Sequence, residues 1–360
     1  MSVNHKSKIL LVLPSLNVGG MERAMSILAN SFVNRGFSVA FFLYKKAEHF
    51  YPLDDAISFY EPNYKTNNKL AVIKNILRYR KVCKEWMPDA ILSYGQNCNI
   101  LTMIANFGTG FRLFISDRGN PIEYSKKISH RIIRYFFSKY LAGIIQQSEK
   151  AKDIVLKELR CSNVTVIGNP IPQIEYDIVH KTKRENIVLS VGRFISTKNF
   201  DVLIKWFSEL ETTWKLVILG GDFQYNQCLQ LVEELNCKDR IILPGKVSNV
   251  QDYMLRSKVF AFTSTSEGFP NVIGEALSAG LPVVAFDCMA GPAEMIINDY
   301  NGFLIENFDK DNFCEKLMRL INNDVLLRQM SENAFLSVKK FAAEKISEET
   351  LAFLVQNKQH

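Results

Sequence analysis

Short apolar runs alternate with amphipathic stretches twice over along this 360-residue chain, and that doubled rhythm most restricts the folds open to it. In the first half the runs fall at 8–13, 37–44, 90–94, 112–117, 142–147 and 164–168. In the second they resume at 186–192, 215–220, 240–245, 259–264 and 282–287. Strand, helix, strand alternation predicts parallel sheets covered by helices on both faces. Between the two rounds lies Gly168-Asn169-Pro170-Ile171-Pro172 and a polar stretch to Glu185, where two prolines interrupt regular structure. The expected organisation is therefore an α/β chain with a first domain at 1–170, a linker at 171–185 and a second domain at 186–340. The C-terminal region predicts helices at 309–321, 326–341 and 344–355. A length of 360 residues suits two domains, each with its own core.

Other classes lack support in the sequence. Hydrophobic residues make up 47% and charged residues 22%, the balance of a globular protein. No apolar run approaches the roughly 20 residues that span a bilayer, and Ile9 to Leu13 is too short for a signal-peptide core. The seven cysteines form no CxxC pair and suit a reducing cytoplasm. The five histidines form no HExxH, so a transition metal is not expected. Asp309-Lys310-Asp311 is the one DxD string, and it opens a predicted helix, where capping accounts for the acids.

The charge is uneven. Residues 1–175 carry 24 Lys and Arg against 13 Asp and Glu, whereas 176–360 carry 20 against 24. A basic half suggests an anionic partner. The run from Lys126 to Lys139 interleaves cations with Ile, Tyr and Phe; as a helix it places Ile128, Ile132, Tyr135 and Phe136 on one face, with Lys127, Arg131, Arg134 and Lys139 flanking or opposing it. Two readings stand side by side: a core helix with a charged outer face, and a surface helix that touches anionic lipid. Lys69, Lys74, Arg78, Arg80, Lys81 and Lys84 on another predicted helix favour the membrane. Nucleic acid is not expected, since no zinc finger, KH or RRM signature accompanies the charge.

Three segments carry candidate chemistry. After the first strand, Gly19-Gly20 opens a helix and permits close approach of a ligand, although a plain tight turn explains the pair equally well. Neither GxGxxG nor a P-loop is present. After the first strand of the second half, Arg193 and Lys198 straddle a turn. Alone they read as solvated loop cations; together in a crevice they suit a diphosphate, Arg as a planar fork and Lys as a compact charge. In Ser266-Glu267-Gly268-Phe269-Pro270-Asn271-Val272-Ile273-Gly274-Glu275, two carboxylates lie eight positions apart across a strand-to-helix loop. Ligands of open α/β sheets collect at such carboxyl ends.

Taken together, GGMER, VGRFISTKN, LGGD, LPGKV and SEGFPNVIGEALSAGLPVVAFD resemble the family 4 glycosyltransferases, retaining enzymes of the GT-B fold, over nearly the whole chain. The resemblance implies two Rossmann-like doubly wound domains facing a central cleft, with a final helix at 341–360 crossing back to the first domain. It implies a nucleotide-sugar donor as co-substrate, no other cofactor and no metal. Arg193 and Lys198 would hold the donor diphosphate and Glu275 the ribose hydroxyls. Glu267 and the amides of Gly268, Phe269, Asn271 and Val272 would hold the transferred sugar and the phosphate. Gly19 and Gly20 would close over the donor, and Asn169 joins the donor-binding set.

One departure stands out. Many relatives carry a histidine after the fourth strand of the first domain, where this chain reads Ser116-Asp117-Arg118-Gly119-Asn120-Pro121. Asp117 and Arg118 either contact the acceptor side or pair with each other. A subset of polysaccharide-assembly relatives resembles this version, which points towards capsule or O-antigen synthesis. The expected protein is a cytoplasmic hexosyltransferase, peripheral on the inner face of the membrane. It would move a hexose or N-acetylhexosamine, from a UDP-sugar by preference, to a lipid-linked saccharide with retention. A soluble acceptor, a non-catalytic nucleotide-sugar-binding partner and an epimerase are the alternatives.

Overall fold

The computed structural model describes residues 6–17, 19–46, 48–64, 69–119, 127–289 and 291–355. Lys126, Asn120, Pro121 and the side chain of Lys69, named above, lie outside the described residues. The chain divides into two compact units, one of residues 1–170 with 343–360 and one of residues 171–342.

Seven parallel strands build the first unit: β1 (Lys8–Leu13), β2 (Ser38–Leu43), β3 (Ser58–Tyr60), β4 (Ala90–Tyr94), β5 (Leu113–Ser116), β6 (Gly143–Gln146) and β7 (Val164–Val166). Their order is β3-β2-β1-β4-β5-β6-β7, so the winding reverses between β1 and β4. The inner strands are buried along their length, which is why they read as unbroken apolar runs. β3 escaped sequence reading because it is an edge strand of three partly exposed residues. On one face of the sheet, helices Lys69–Trp86 and Ile128–Phe137 both pack against helix Gln96–Asn106. Tyr79, Val82 and Cys83 of the first join the core directly, with Ile133 and Phe137 of the second packed on it. Helix Ala343–Val355 packs on helix Gly20–Asn34, and its Phe353 meets Phe114 edge-on at 5.4 Å.

The second unit contains β8 (Ile187–Val191), β9 (Lys215–Leu219), β10 (Ile241–Gly245), β11 (Val259–Phe262), β12 (Val283–Phe286) and β13 (Gly302–Ile305), all parallel, in the order β10-β9-β8-β11-β12-β13. Here the winding reverses between β8 and β11. Phe286 stands among Trp206, Phe308 and Phe313 at ring separations of 5.5–5.8 Å. Truncating such a core Phe to Ala costs about 3–5 kcal/mol. Residues 171–185 are not an extended linker: Ile171 is fully buried and helix Tyr176–Lys181 forms within them. Asp309 accepts a hydrogen bond from the Asn312 amide at 3.2 Å and caps helix Lys310–Ile321, which accounts for the acidic string there.

Candidate active site

In the second unit the candidate residues lie beyond the carboxyl ends of β8 and β11, where the strand order turns back on itself. Open α/β sheets present a crevice at this place because flanking loops diverge to opposite faces. β8 runs out at Val191, and the chain then passes very close to the loop after β9. Gly220 has φ +136, and a Cβ there would lie 1.8 Å from the Gly192 carbonyl oxygen, so only glycine fits. The Phe194 amide donates to the Gly221 carbonyl at 3.0 Å, and the Phe194 ring enters the core. That register leaves Arg193, one residue earlier, exposed.

A short 3-10 turn, Ser196–Lys198, follows, and Asn199 takes the left-handed conformation before helix Phe200–Ser208. Asn199 reaches sideways: its amide nitrogen donates to the Thr263 carbonyl at 2.9 Å and to that of Thr197 at 3.2 Å. Thr263 returns a bond from its hydroxyl to the Lys198 carbonyl at 2.8 Å. The Ser264 hydroxyl and the Thr265 amide both donate to the Thr197 carbonyl, at 3.1 and 2.9 Å. Four of these contacts join the loops after the two strands at the switch point. Their consequence is an ion pair between Lys198 Nζ and Glu267 Oε1, each side chain 15% exposed. The ammonium also stands 5.2 Å from the centre of the Phe262 ring.

Beyond Glu267 the chain folds into helix Asn271–Ser278, preceded by Pro270. Gly291, in the loop after β12, comes so near that a Cβ there would sit 2.2 Å from Pro270 Cδ; its φ of +107 also favours glycine. Phe269 is buried and meets Phe341 edge-on at 5.5 Å. Of the amides expected to face a phosphate, that of Asn271 is instead directed to the Phe269 carbonyl at 2.9 Å, because the chain turns tightly at Pro270. Those of Gly268, Phe269 and Val272 remain candidates. Glu275 lies in the second turn of the helix and is partly buried. Arg193, Lys198 and Glu267 therefore follow the carboxyl ends of the adjacent strands β8 and β11, and Glu275 lies on the helix that the second of these loops leads into. Lys246, after β10, stands on the same edge with its aliphatic stem beside Gly221. Sequence reading did not single it out, since a lone loop lysine gives no periodic signal.

In the first unit the corresponding edge contains Gly19 and Gly20. Gly19 is extended, and its amide donates to the Tyr51 hydroxyl at 3.2 Å while that hydroxyl donates to the Gly19 carbonyl at 3.1 Å. Tyr51 was missed because the contact spans 32 residues. Asp117 and Arg118 do not pair with each other. Asp117 is buried, and Arg134 donates to it through both terminal nitrogens, at 2.9 and 2.7 Å. Asn99 and Gln146 each add a bond at 3.0 Å. Burial pushes the Asp117 carboxyl up, but the charge and hydrogen bonds of Arg134, with those of Gln146 and Asn99, outweigh it and hold the group below the usual carboxylate range. Those four bonds commit Asp117 to the protein interior, not to an acceptor. Arg118 instead bonds Asn169 Oδ1 and the Tyr94 hydroxyl, with its guanidinium 4.2 Å from the Tyr94 ring centre. Asn169, expected on the donor side, is thus tied to the acceptor-side candidate Arg118.

Two parallel α/β units with chemistry gathered at strand carboxyl ends define a GT-B protein. HepE of Anabaena, solved in complex with UDP, superposes with a TM-score of 0.82 over 97% of this chain and 100% of its own, at 17% identity. The sequence model of glycosyl transferases group 1 matches residues 173–336. The lipopolysaccharide 1,6-galactosyltransferase of Escherichia coli is 32% identical over 260 residues, covering 70% of this chain and 71% of that enzyme. The N-acetylgalactosamine-N,N'-diacetylbacillosaminyl-diphospho-undecaprenol 4-alpha-N-acetylgalactosaminyltransferase of Campylobacter jejuni is 28% identical over 97% of this chain and 99% of its own length. The chain belongs to the group 1 glycosyltransferases.

Proposed function

We propose that this glycosyltransferase moves a hexose or N-acetylhexosamine from a UDP-sugar to a lipid-linked saccharide in surface polysaccharide synthesis, with retention of anomeric configuration and without a metal ion. The observation that carries the reading is the pairing of Lys198 with Glu267 at the switch point of the second unit, with Arg193 on the same loop as Lys198 and Glu275 on the helix that follows Glu267. UDP bound to HepE supports the donor, and the diphospho-undecaprenol named for the Campylobacter relative supports the acceptor.

The chemistry follows from the charges. As the bond from the sugar's anomeric carbon to the diphosphate oxygen breaks, negative charge grows on the leaving oxygen. Arg193 and Lys198 stabilise that charge, Lys198 from a position set by its pairing with Glu267, an effect worth about 10²- to 10³-fold in rate. The acceptor hydroxyl attacks the same face and passes its proton to the departing diphosphate. Glu267 positions the Lys198 ammonium and holds sugar hydroxyls, and Glu275 holds the ribose.

The test is transfer from a panel of labelled UDP-sugars to a short-chain polyprenyl-diphosphate saccharide, with the anomer of the product read by NMR. Labelled lipid product with the donor's configuration, unaffected by EDTA, is expected. An inverted product or loss of turnover in EDTA would overturn the mechanism. Transfer only to soluble sugars would overturn the acceptor.

A further inference from the structure

Helix Ile128–Phe137 has apolar side chains on both faces, Ile133 and Phe137 packed on the core and a second stripe turned outward. Its one fully buried side chain is a cation, Arg134, drawn inward by Asp117. His130, Ile133 and Phe137 share that inner stripe at helical spacing and are partly buried. The apolar stripe at Ile128, Ile132 and Phe136 points to solvent. Helix Lys69–Trp86, on the same face of the sheet, does likewise: Ala71, Asn75, Tyr79 and Val82 face inward, and Leu70, Ile73 and Leu77 face out. These six outward apolar side chains are 52–72% exposed. Phe107 and Tyr140, in edge-on contact 5.0 Å apart, add exposed aromatic surface near the C-terminal ends of helices Gln96–Asn106 and Ile128–Phe137.

Cations border both stripes. Lys74, Lys81 and Lys84 are exposed on one helix, as are Lys127, Arg131 and Lys139 along the other. Besides the buried Arg134, two cations counted from sequence alone drop out: Arg78 bonds the carbonyls of Tyr60 and Leu43, and Arg80 bonds those of Ala105 and Phe107. The acids are few, with Glu85 alone on the first helix and none between Ile128 and Lys139. A second copy of the chain seated here would bring like charges together, whereas an anionic leaflet would neutralise them.

We infer that the outward faces of helices Lys69–Trp86 and Ile128–Phe137 dock this protein on an anionic bilayer, lying in the interface with the apolar stripes at the acyl boundary and the cations at the headgroups. The inference deepens the lipid-linked acceptor reading and rests on it for its purpose: the bilayer carries such an acceptor to the first unit.

The test is flotation of the full-length protein with vesicles of phosphatidylcholine alone or mixed with phosphatidylglycerol. The wild type is expected to float with the mixed vesicles, less so as salt rises. Ile128→Ser with Phe136→Ser, and Leu70→Ser with Leu77→Ser, should each cut partitioning by about tenfold or more. Lys127→Glu with Arg131→Glu should weaken it by about fivefold per cation removed. No flotation of the wild type, or equal flotation of all variants, overturns the inference. A wild-type dimer that the serine variants make monomeric, without flotation, overturns it in favour of a second copy. Thermal stabilisation by UDP, measured in each variant, reports that the fold is intact and tests the donor site separately. Its absence in the wild type would sink the donor reading and leave the flotation result standing.

Discussion

Arg134 grips Asp117 with both terminal nitrogens, across 17 residues of sequence and with the two side chains only 5% and 0% exposed. The pair fastens helix Ile128–Phe137 to the end of β5, beside Arg118, and so decides which face of that helix is turned outward. A buried pair of this kind is weak evidence of net stability, but losing one partner strands the other charge.

Arg134→Met should therefore cost about 3–5 kcal/mol, because Asp117 would keep its charge with only Asn99 and Gln146 to satisfy it. Adding Asp117→Asn should recover part of the loss. Urea unfolding of the single and double variants measures the coupling, and additive effects would mean that the pair is not energetically linked.

The same pair sets an acid dependence. The Asp117 carboxyl titrates lower in the folded than in the unfolded chain, so its contribution is complete above the ordinary Asp value of about 3.9 and disappears as pH falls through the lowered native value. Unfolding followed from neutral pH into that acid range should show the Asp117→Asn variant less sensitive than wild type. Parallel curves for the two proteins would remove Asp117 from the acid response.

Lys198 and Glu267 are held as a pair by two loops, so their substitutions should separate charge stabilisation from donor placement. Lys198→Ala is expected to lower kcat by about 10²- to 10³-fold. Glu267→Gln keeps the shape and removes the charge; turnover should fall while UDP affinity stays near wild type. Unchanged turnover in Lys198→Ala would eliminate its role at the leaving group.

Gly220→Ala should be far more damaging than Gly36→Ala. Both have positive φ, which costs a side chain roughly 1–2 kcal/mol. At Gly36 nothing lies within 4 Å of the added Cβ, whereas at Gly220 it meets the Gly192 carbonyl. Chemical denaturation gives the difference, and UDP binding should weaken only in Gly220→Ala, whose clash displaces the strand end that presents Arg193.

Much of the fold was legible because a strand buried on both faces must be apolar throughout. The runs at 8–13, 90–94 and 259–264 meet strands within two residues of the expected ends. β3 and β13 were not legible, the one short and half exposed, the other four residues opening on a glycine. Of the candidate site, the pattern at Arg193, Lys198, Glu267 and Glu275 stood out as spacing, while the pairing of Lys198 with Glu267 did not, since it depends on the fold bringing together two loops 69 positions apart.

By itself, then, the sequence determined the alternation of strands and helices, the carboxylate spacing and the faces of each amphipathic helix, all of which are local periodicities. Only the tertiary structure decided that Asp117 turns to Arg134 instead of Arg118, and that Ile128, Ile132 and Phe136 face away from the core. Periodicity says which residues share a helical face. Which face is covered depends on partners distant in sequence, and a buried carboxylate draws a guanidinium inward because an unpaired charge there would cost more than leaving three apolar side chains outside.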